Sequence, residues 1–287
     1  MSFKKNERQS NYLIDPIEPR DFHNVAQKLR KFFEKRGFVE VPTQHRLSIL
    51  AACEDPRTIG IFMYMGDTWP LPQTGQMWLE YELLTKPDAP GYFCMSYSFR
   101  EEPNPIPGRH NLIFPMFEFE THGDMNALVS LEEDLLEHLG FGRKSSFYKI
   151  AYEKATKRYR VKQIEAEHEK RLYKDFGPVV FLTHFPQYTS PFWNMKKTGD
   201  CANKVDILLH GVETVGSAER STNPKEMREL FHTISNGMYA QILFSKFRKD
   251  RVEKELEKFL DLQFFPRCGG GIGITRMIRA LKLNESK

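Results

Sequence analysis

The chain has 287 residues, 40% apolar and 28% charged, proportions that exclude disordered and fibrous classes and allow one large or two small domains. Its 42 basic and 38 acidic residues leave a net charge of +4, too mild to point to nucleic acid. No run approaches the roughly 20 apolar residues that span a bilayer. The start, Met1 to Arg8, lacks the apolar stretch of a secretory signal, so a cytoplasmic, enzyme-sized protein is the expectation. Cys53, Cys94, Cys201 and Cys268 lie far apart, which signals neither a zinc site nor a disulfide framework.

In chain order, residues 21–36 read as an amphipathic helix with Val25, Leu29, Phe32 and Phe33 on one face and Gly37 closing it. Val39 and Val41 alternate as a short strand ending at Pro42. Residues 92–99 and 114–120 read as strands joined by a Pro/Gly/Asn loop over 103–108, with Phe117 and Phe119 alternating against Met116, Glu118 and Glu120. A helix is expected over 131–139, ending at Gly140, and a charged helical stretch over 152–175. In that stretch Glu165, Glu167 and Glu169 interleave with the basic residues, so a solvated face is preferred to an RNA-binding one. Strands are expected at 179–183 and 205–209, mostly helix over 225–261, and a Gly-rich strand-to-helix join at 269–283. Strands linked by long loops and followed by helices predict an α+β fold with a mainly antiparallel sheet flanked by helices.

Three segments carry chemistry. Cys268-Gly269-Gly270-Gly271-Ile272-Gly273-Ile274-Thr275-Arg276 is neither a Walker loop nor a dinucleotide fingerprint. It offers a glycine shelf, where backbone can approach a ligand closely, and an arginine at a helix start; close strand–helix packing would need no more than the glycines. Around the 103–108 loop, Arg100, Glu101, Glu102, Arg109, His110 and Phe114 converge. Arg100 suits a phosphate and Phe114 a purine face, although a surface ion cluster and a core phenylalanine would read the same way. Third, Glu213 closes a strand whose partner would be Asp206; carboxylates there suit Mg²⁺ against a triphosphate, or a surface hairpin with paired charges.

In this order the segments resemble the three motifs of class II aminoacyl-tRNA synthetases. Arg36-Gly37-Phe38-Val39-Glu40-Val41-Pro42 is similar to motif 1, Phe99-Arg100-Glu101-Glu102 with Arg109, His110 and Phe114 to motif 2, and Gly271 to Arg276 to motif 3. Cys53-Glu54, the Gln73 to Glu80 segment (in the family a Gln-containing strand), Phe192-Trp193-Asn194-Met195-Lys196 and the turn from Glu213 to Arg220 resemble the aspartyl/asparaginyl branch. Thr74-Gly75-Gln76-Met77-Trp78-Leu79-Glu80 follows the asparaginyl frame, with Leu79 where aspartyl enzymes place a carboxylate-binding lysine.

The resemblance implies one catalytic domain over 21–287 behind an N-terminal extension over 1–20, and a homodimer joined through motif 1. It implies ATP and Mg²⁺ as cofactors. Arg100 would hold the α-phosphate and the substrate carboxylate, Glu102 and Phe114 the adenine, and Arg109 would join the ATP site. His110 and Arg276 would contact the pyrophosphate beside Gly271 and Gly273, and Glu213, with Asp206, would bind Mg²⁺. Glu54 and Gln76 would take the substrate ammonium, while Glu80 and Arg220 would accept from and donate to a side-chain amide. The expected activity is adenylation of asparagine or a close relative. Motif 1 begins about 20 residues in, which leaves no room for the branch's anticodon-binding barrel, so tRNA charging is not expected and the acceptor stays open. An ammonia-dependent asparagine synthetase acting on aspartate and a catalytically silent amino-acid-sensing paralogue are the alternatives.

Overall fold

The computed structural model describes residues 16–286 apart from 44, 53, 54, 104 and 106–110. Helix α1 (Pro19–Glu34) starts where Pro19 presets φ and the Glu18 side chain accepts from the Arg20 amide, and the chain leaves it through Gly37 at φ +79°. Strand β1 (Val39–Glu40) follows, then a hairpin of β2 (Ile61–Tyr64) and β3 (Asp67–Pro70), helix α2 (Gln76–Thr85), and the long strands β4 (Gly91–Phe99) and β5 (Ile113–His122). Next come α3 (Met125–His138), β6 (Tyr148–Ala151), α4 (Tyr152–Tyr159), α5 (Ala166–Phe176), β7 (Val179–Pro186), β8 (Lys197–Thr198), β9 (Cys201–Leu209) and β10 (Val212–Glu219). Helices α6 (Pro224–Thr233), α7 (Met238–Phe247) and α8 (Lys249–Leu260) precede β11 (Arg267–Gly273) and α9 (Ile274–Glu285).

All strands outside the β2–β3 hairpin form one sheet in the order β1-β4-β5-β11-β10-β9-β7-β6, with β8 also paired to β9. It is antiparallel through its centre, as expected, but mixed at both edges, where β1 runs parallel to β4 and β6 to β7. Other local differences have physical causes. Helix α3 begins six residues before the expected start, because the Asp124 side chain caps the Asn126 and Ala127 amides. The 152–175 stretch is two helices, broken where Arg160 takes a left-handed conformation (φ +56°). The Gln73–Glu80 segment, a strand in the branch it resembles, is here a turn leading into α2, and the expected turn from Glu213 to Arg220 is strand β10 followed by a single bridging residue.

The period-2 alternation along β5 sorts the two faces of the sheet. Phe117 and Phe119 enter the main core with Phe33 of α1 and Phe93 of β4, ring centroids 4.9–6.0 Å apart, and α3 and α9 close this layer. Glu118 and Glu120 point to the opposite face. There α2 and the α6–α8 helices form a second apolar cluster around Trp193, Phe231, Tyr239 and Phe259. Polar side chains that face away from both cores thus gather in the cleft between sheet and helices.

Candidate active site

Strand register builds the cleft floor. One row of paired residues runs Asp206–Gly216–Gly271–Glu118, and the next runs Lys204–Ala218–Gly269–Glu120. Directly paired residues share a face, so a trough of Gly and Ala is bordered by charge on both sides. The glycine shelf read from the sequence is the middle of this trough. At Gly269 the lack of a side chain is obligatory, since a Cβ would sit 2.2 Å from the Phe119 carbonyl oxygen and 2.4 Å from Glu120 Cδ. A cleft of about 320 Å³ above the floor is lined by Gln76, Phe192, Lys204, Glu213, Arg220 and Tyr239, among others.

At one end of the floor, Phe114 shares the face of Met116, Glu118 and Glu120, and the Arg100 guanidinium stands 5.5 Å over its ring. Arg100 also donates from Nε to Ser98 Oγ at 3.2 Å. Glu102 is half-buried just past β4 and makes no hydrogen bond or ion pair among the described residues. Arg109, His110 and Glu54 lie outside the described residues.

At the middle, Arg276 reaches from the first turn of α9 and donates to the Glu213 carbonyl oxygen at 2.7 Å, with its Nη1 3.8 Å from the Glu213 carboxylate. Gly271 and Gly273 lead directly into that turn. Glu213 opens β10 rather than closing it and sits opposite Leu208, yet it meets Asp206 over Gly216. A Cβ added there would lie 3.4 Å from Glu213 Oε1 and 3.6 Å from Asp206 Oδ1. Burial pushes Asp206 up to about 7, opposed by Lys204, whose Nζ donates to Oδ2 at 2.9 Å; the Glu213 charge adds to the rise. Asp206 Oδ1 is buried and unpartnered. Two carboxylates around an open cradle, one with an orphaned oxygen, fit a hard divalent cation that brings phosphate and water as its other ligands. No cluster of three or more metal-ligating side chains occurs among the described residues.

At the far end lies a sealed ion cluster. Glu80, Glu120, Arg220 and Arg267 are each at most 1% exposed. Arg267, the first residue of β11, donates to Glu80 Oε2 from Nε at 2.9 Å and Nη2 at 2.7 Å, and to the Ser221 carbonyl from Nη1 at 3.0 Å. Glu80 Oε1 accepts from Gln76 Nε2 at 2.9 Å and from Asn194 Nδ2. Arg220 grips Glu120 Oε1 through Nε at 2.8 Å and through Nη2, and it stands 3.8 Å from Glu80. Burial pushes the Glu120 carboxyl up, and Arg220 opposes it. Glu80 is thus saturated by protein groups with Arg220 3.8 Å away, while Arg220 lines the cleft.

Five residues of this arrangement have no site role in the sequence reading. Glu118 accepts from the Gly75 amide at 2.7 Å and from the Thr74 and Ser96 hydroxyls, which fixes the turn into α2. Glu118 and Glu120 were visible as the polar phase of an alternating strand, a signal for a buried polar face. Lys204 was visible only as Asp206 minus two. Arg267 carried no signal and Asn194 only its place in the Phe192–Lys196 resemblance, because their partners lie 187 and 114 residues away.

A family model described as tRNA synthetases class II (D, K and N) matches residues 20–286. A segment of 115 residues is 29% identical to the aspartate–tRNA(Asp) ligase of Pyrobaculum aerophilum, covering 40% of this chain and 24% of that protein. Among solved structures, asparaginyl-tRNA synthetase of Pyrococcus horikoshii complexed with asparaginyl-adenylate superposes with a TM-score of 0.73 at 20% identity, over 92% of this chain and 65% of that one. The asparaginyl-tRNA synthetase of Entamoeba histolytica in complex with asparaginyl-adenylate gives 0.69 at 18%, over 91% and 63%. The aspartyl-tRNA synthetase of the same organism gives 0.67 at 18%, over 92% and 55%. The chain thus spans less than two thirds of each of these relatives. No helix among the described residues is long and apolar enough to cross a membrane. With the family model covering nearly its whole length and the sheet matching those catalytic folds, the chain belongs to the class II aminoacyl-tRNA synthetases of the aspartyl, asparaginyl and lysyl group, a family of ATP-dependent ligases.

Proposed function

We propose that the chain forms an aminoacyl-adenylate from ATP and a four-carbon amino acid, with aspartate preferred to asparagine. The observation that carries this reading is the saturation of Glu80 by Arg267, Gln76 and Asn194. An acid so neutralised neither accepts from an amide NH₂ nor repels a carboxylate. What remains at that end is Arg220, which lines the cleft, with Lys204 on the adjoining wall. Arginine and lysine donors on a shielded wall, with the acids behind them already paired, favour a carboxylate side chain over a neutral amide. Asparagine, the second reading, keeps the support of the Thr74–Glu80 frame.

The same floor arranges the reaction. Adenine would stack on Phe114, with Arg100 over the same ring and near the α-phosphate, and the triphosphate would run along Gly271 and Gly273 towards Arg276. Asp206 and Glu213 would hold Mg²⁺, which when bound neutralises phosphate charge. A carboxylate oxygen of the amino acid attacks the α-phosphorus, the bond from that phosphorus to the bridging oxygen breaks, and pyrophosphate leaves with the electron pair. No proton moves, so no general base is required. Rate comes from alignment and from arginines set where charge builds on phosphorus. The acceptor of the acyl group follows from a discharge assay with tRNA and with ammonia: ammonia attacking the α-aspartyl-adenylate formed when Arg220 holds the side-chain carboxylate releases AMP and gives the α-amide, whereas asparagine forms only from a β-aspartyl-adenylate. Exposed Val39 on the edge strand β1 supports the homodimer expected through this region, which sedimentation at micromolar concentration tests. ATP–pyrophosphate exchange across the amino acids tests the reading as a whole.

A further inference from the structure

The geometry points to Arg267 as the positioning residue that keeps Glu80 out of the substrate cleft and thereby sets which side-chain charge the cleft accepts. This inference rests on the proposed amino-acid site. Both ends of the Arg267 guanidinium are committed. Nε and Nη2 hold Glu80, and Nη1 holds the carbonyl of Ser221, the residue next to Arg220. The Arg220 amide in turn donates to the Arg267 carbonyl at 2.8 Å. Phe264 lies 4.8 Å from the guanidinium and seals its face. One side chain thus fixes both the acid behind the cleft and the backbone that presents Arg220.

The charge count explains the consequence. Glu80 and Glu120 oppose Arg220 and Arg267, so the cluster is neutral with both acids ionised and positive if Glu120 holds a proton. In neither state does it carry a negative surplus towards the cleft. Without Arg267, Glu80 has one cation within reach, Arg220 at 3.8 Å, which already serves Glu120. An acid in surplus would then face the substrate, repelling a carboxylate and accepting from an amide. Removing Glu80 instead leaves a surplus cation with the opposite effect. In a shielded site, one unit charge several ångströms away shifts a carboxylate-to-amide preference on the order of tenfold.

The test is calorimetric binding of L-aspartate and L-asparagine to the full chain, saturated with a non-hydrolysable ATP analogue. Arg267→Gln is expected to lower the aspartate-to-asparagine affinity ratio on the order of tenfold, and Glu80→Gln to raise it by a similar factor. The double variant should return the ratio to the wild-type value, and Arg267→Lys, which keeps the charge, should retain it. Thermal unfolding of each variant identifies those that are folded, and the double variant, with no unpaired charge, is the one expected to stay closest to wild-type stability. A merely structural Arg267 would weaken both ligands alike and leave the ratio unmoved. That result, single variants shifting in the same direction, or a wild-type chain that binds neither amino acid would overturn the inference. Pyrophosphate exchange on the same wild-type sample reports separately on catalysis: binding with the predicted ratios but without exchange would sink the ligase reading and leave the charge gate standing.

Discussion

The two charged clusters of the cleft use the same inventory, two acids and two bases, in opposite ways. Glu80, Glu120, Arg220 and Arg267 are sealed from water, and Arg267 holds Glu80 at 2.7–2.9 Å through two nitrogens. In the second set, Asp206, Glu213, Lys204 and Arg276, only Asp206 is buried, Glu213 and Arg276 are about a third exposed, and Arg276 approaches the Glu213 carboxylate only to 3.8 Å. The sealed set is a frame, because exchanging any partner there means burying an unpaired charge. The open set is a receptor, because its members can change partners at little cost when a phosphate or cation arrives. A charged residue in a ligand cleft therefore says little about its role until its partners are counted.

The largest expected effect breaks the frame. Arg267→Met leaves Glu80 as an uncompensated buried acid and should lower stability by about 3–5 kcal/mol, read in urea unfolding; a loss within 1 kcal/mol would mean the cluster is not sealed. Next, Arg276→Ala and Glu213→Ala should each reduce pyrophosphate exchange on the order of 100-fold or more, with melting temperatures close to wild type. Near-normal turnover in either would remove the receptor role.

The pH dependence sharpens the contrast from below the floor. Burial pushes Glu132, packed under β10 beside Ser217, up to about 8 from an ordinary 4.5. The folded protein keeps a proton that the unfolded chain releases, so this contribution to stability is full below pH 4.5. It declines as pH rises and is lost once pH passes 8. Glu132→Gln should come within about 1 kcal/mol of wild type at pH 5 and exceed it by about 5 kcal/mol at pH 9. Equal slopes of stability against pH for the two proteins would contradict the assignment. The smallest effect belongs to Gly216→Ala: the added methyl meets only ordinary contacts but fills the cradle between Asp206 and Glu213. It should weaken Mn²⁺ binding, followed by electron paramagnetic resonance, on the order of tenfold without loss of fold.

What was legible in the sequence follows from the range of the signal. Alternation along 114–120, the Phe-rich face of 21–36 and the glycine join at 269–276 are local patterns, and each marks an element that the structure contains. The glycine shelf and Arg276 were recoverable for the same reason. The β2–β3 hairpin and α2 were not read: Asp67-Thr68-Trp69-Pro70 has no period to detect, and α2 is apolar on nearly every side because it is buried all round. Arg267 and Asn194 were out of reach, since their meaning depends on Glu80 arriving from a helix far away in the chain. The asparagine expectation rested on the Thr74–Glu80 frame, on Leu79 in place of a lysine and on Glu80 beside Arg220, and only the last of these changes once Arg267 is counted.

The most direct test of the account is amino-acid-dependent ATP–pyrophosphate exchange on the wild-type chain without tRNA, comparing aspartate with asparagine across a full set of amino acids. Exchange driven by aspartate ahead of asparagine is the predicted result, and the amide formed on adding ammonia would then show which carboxylate is activated. Exchange with asparagine ahead of aspartate would contradict the charge reading of the sealed cluster, and no exchange with any amino acid would contradict the ligase itself.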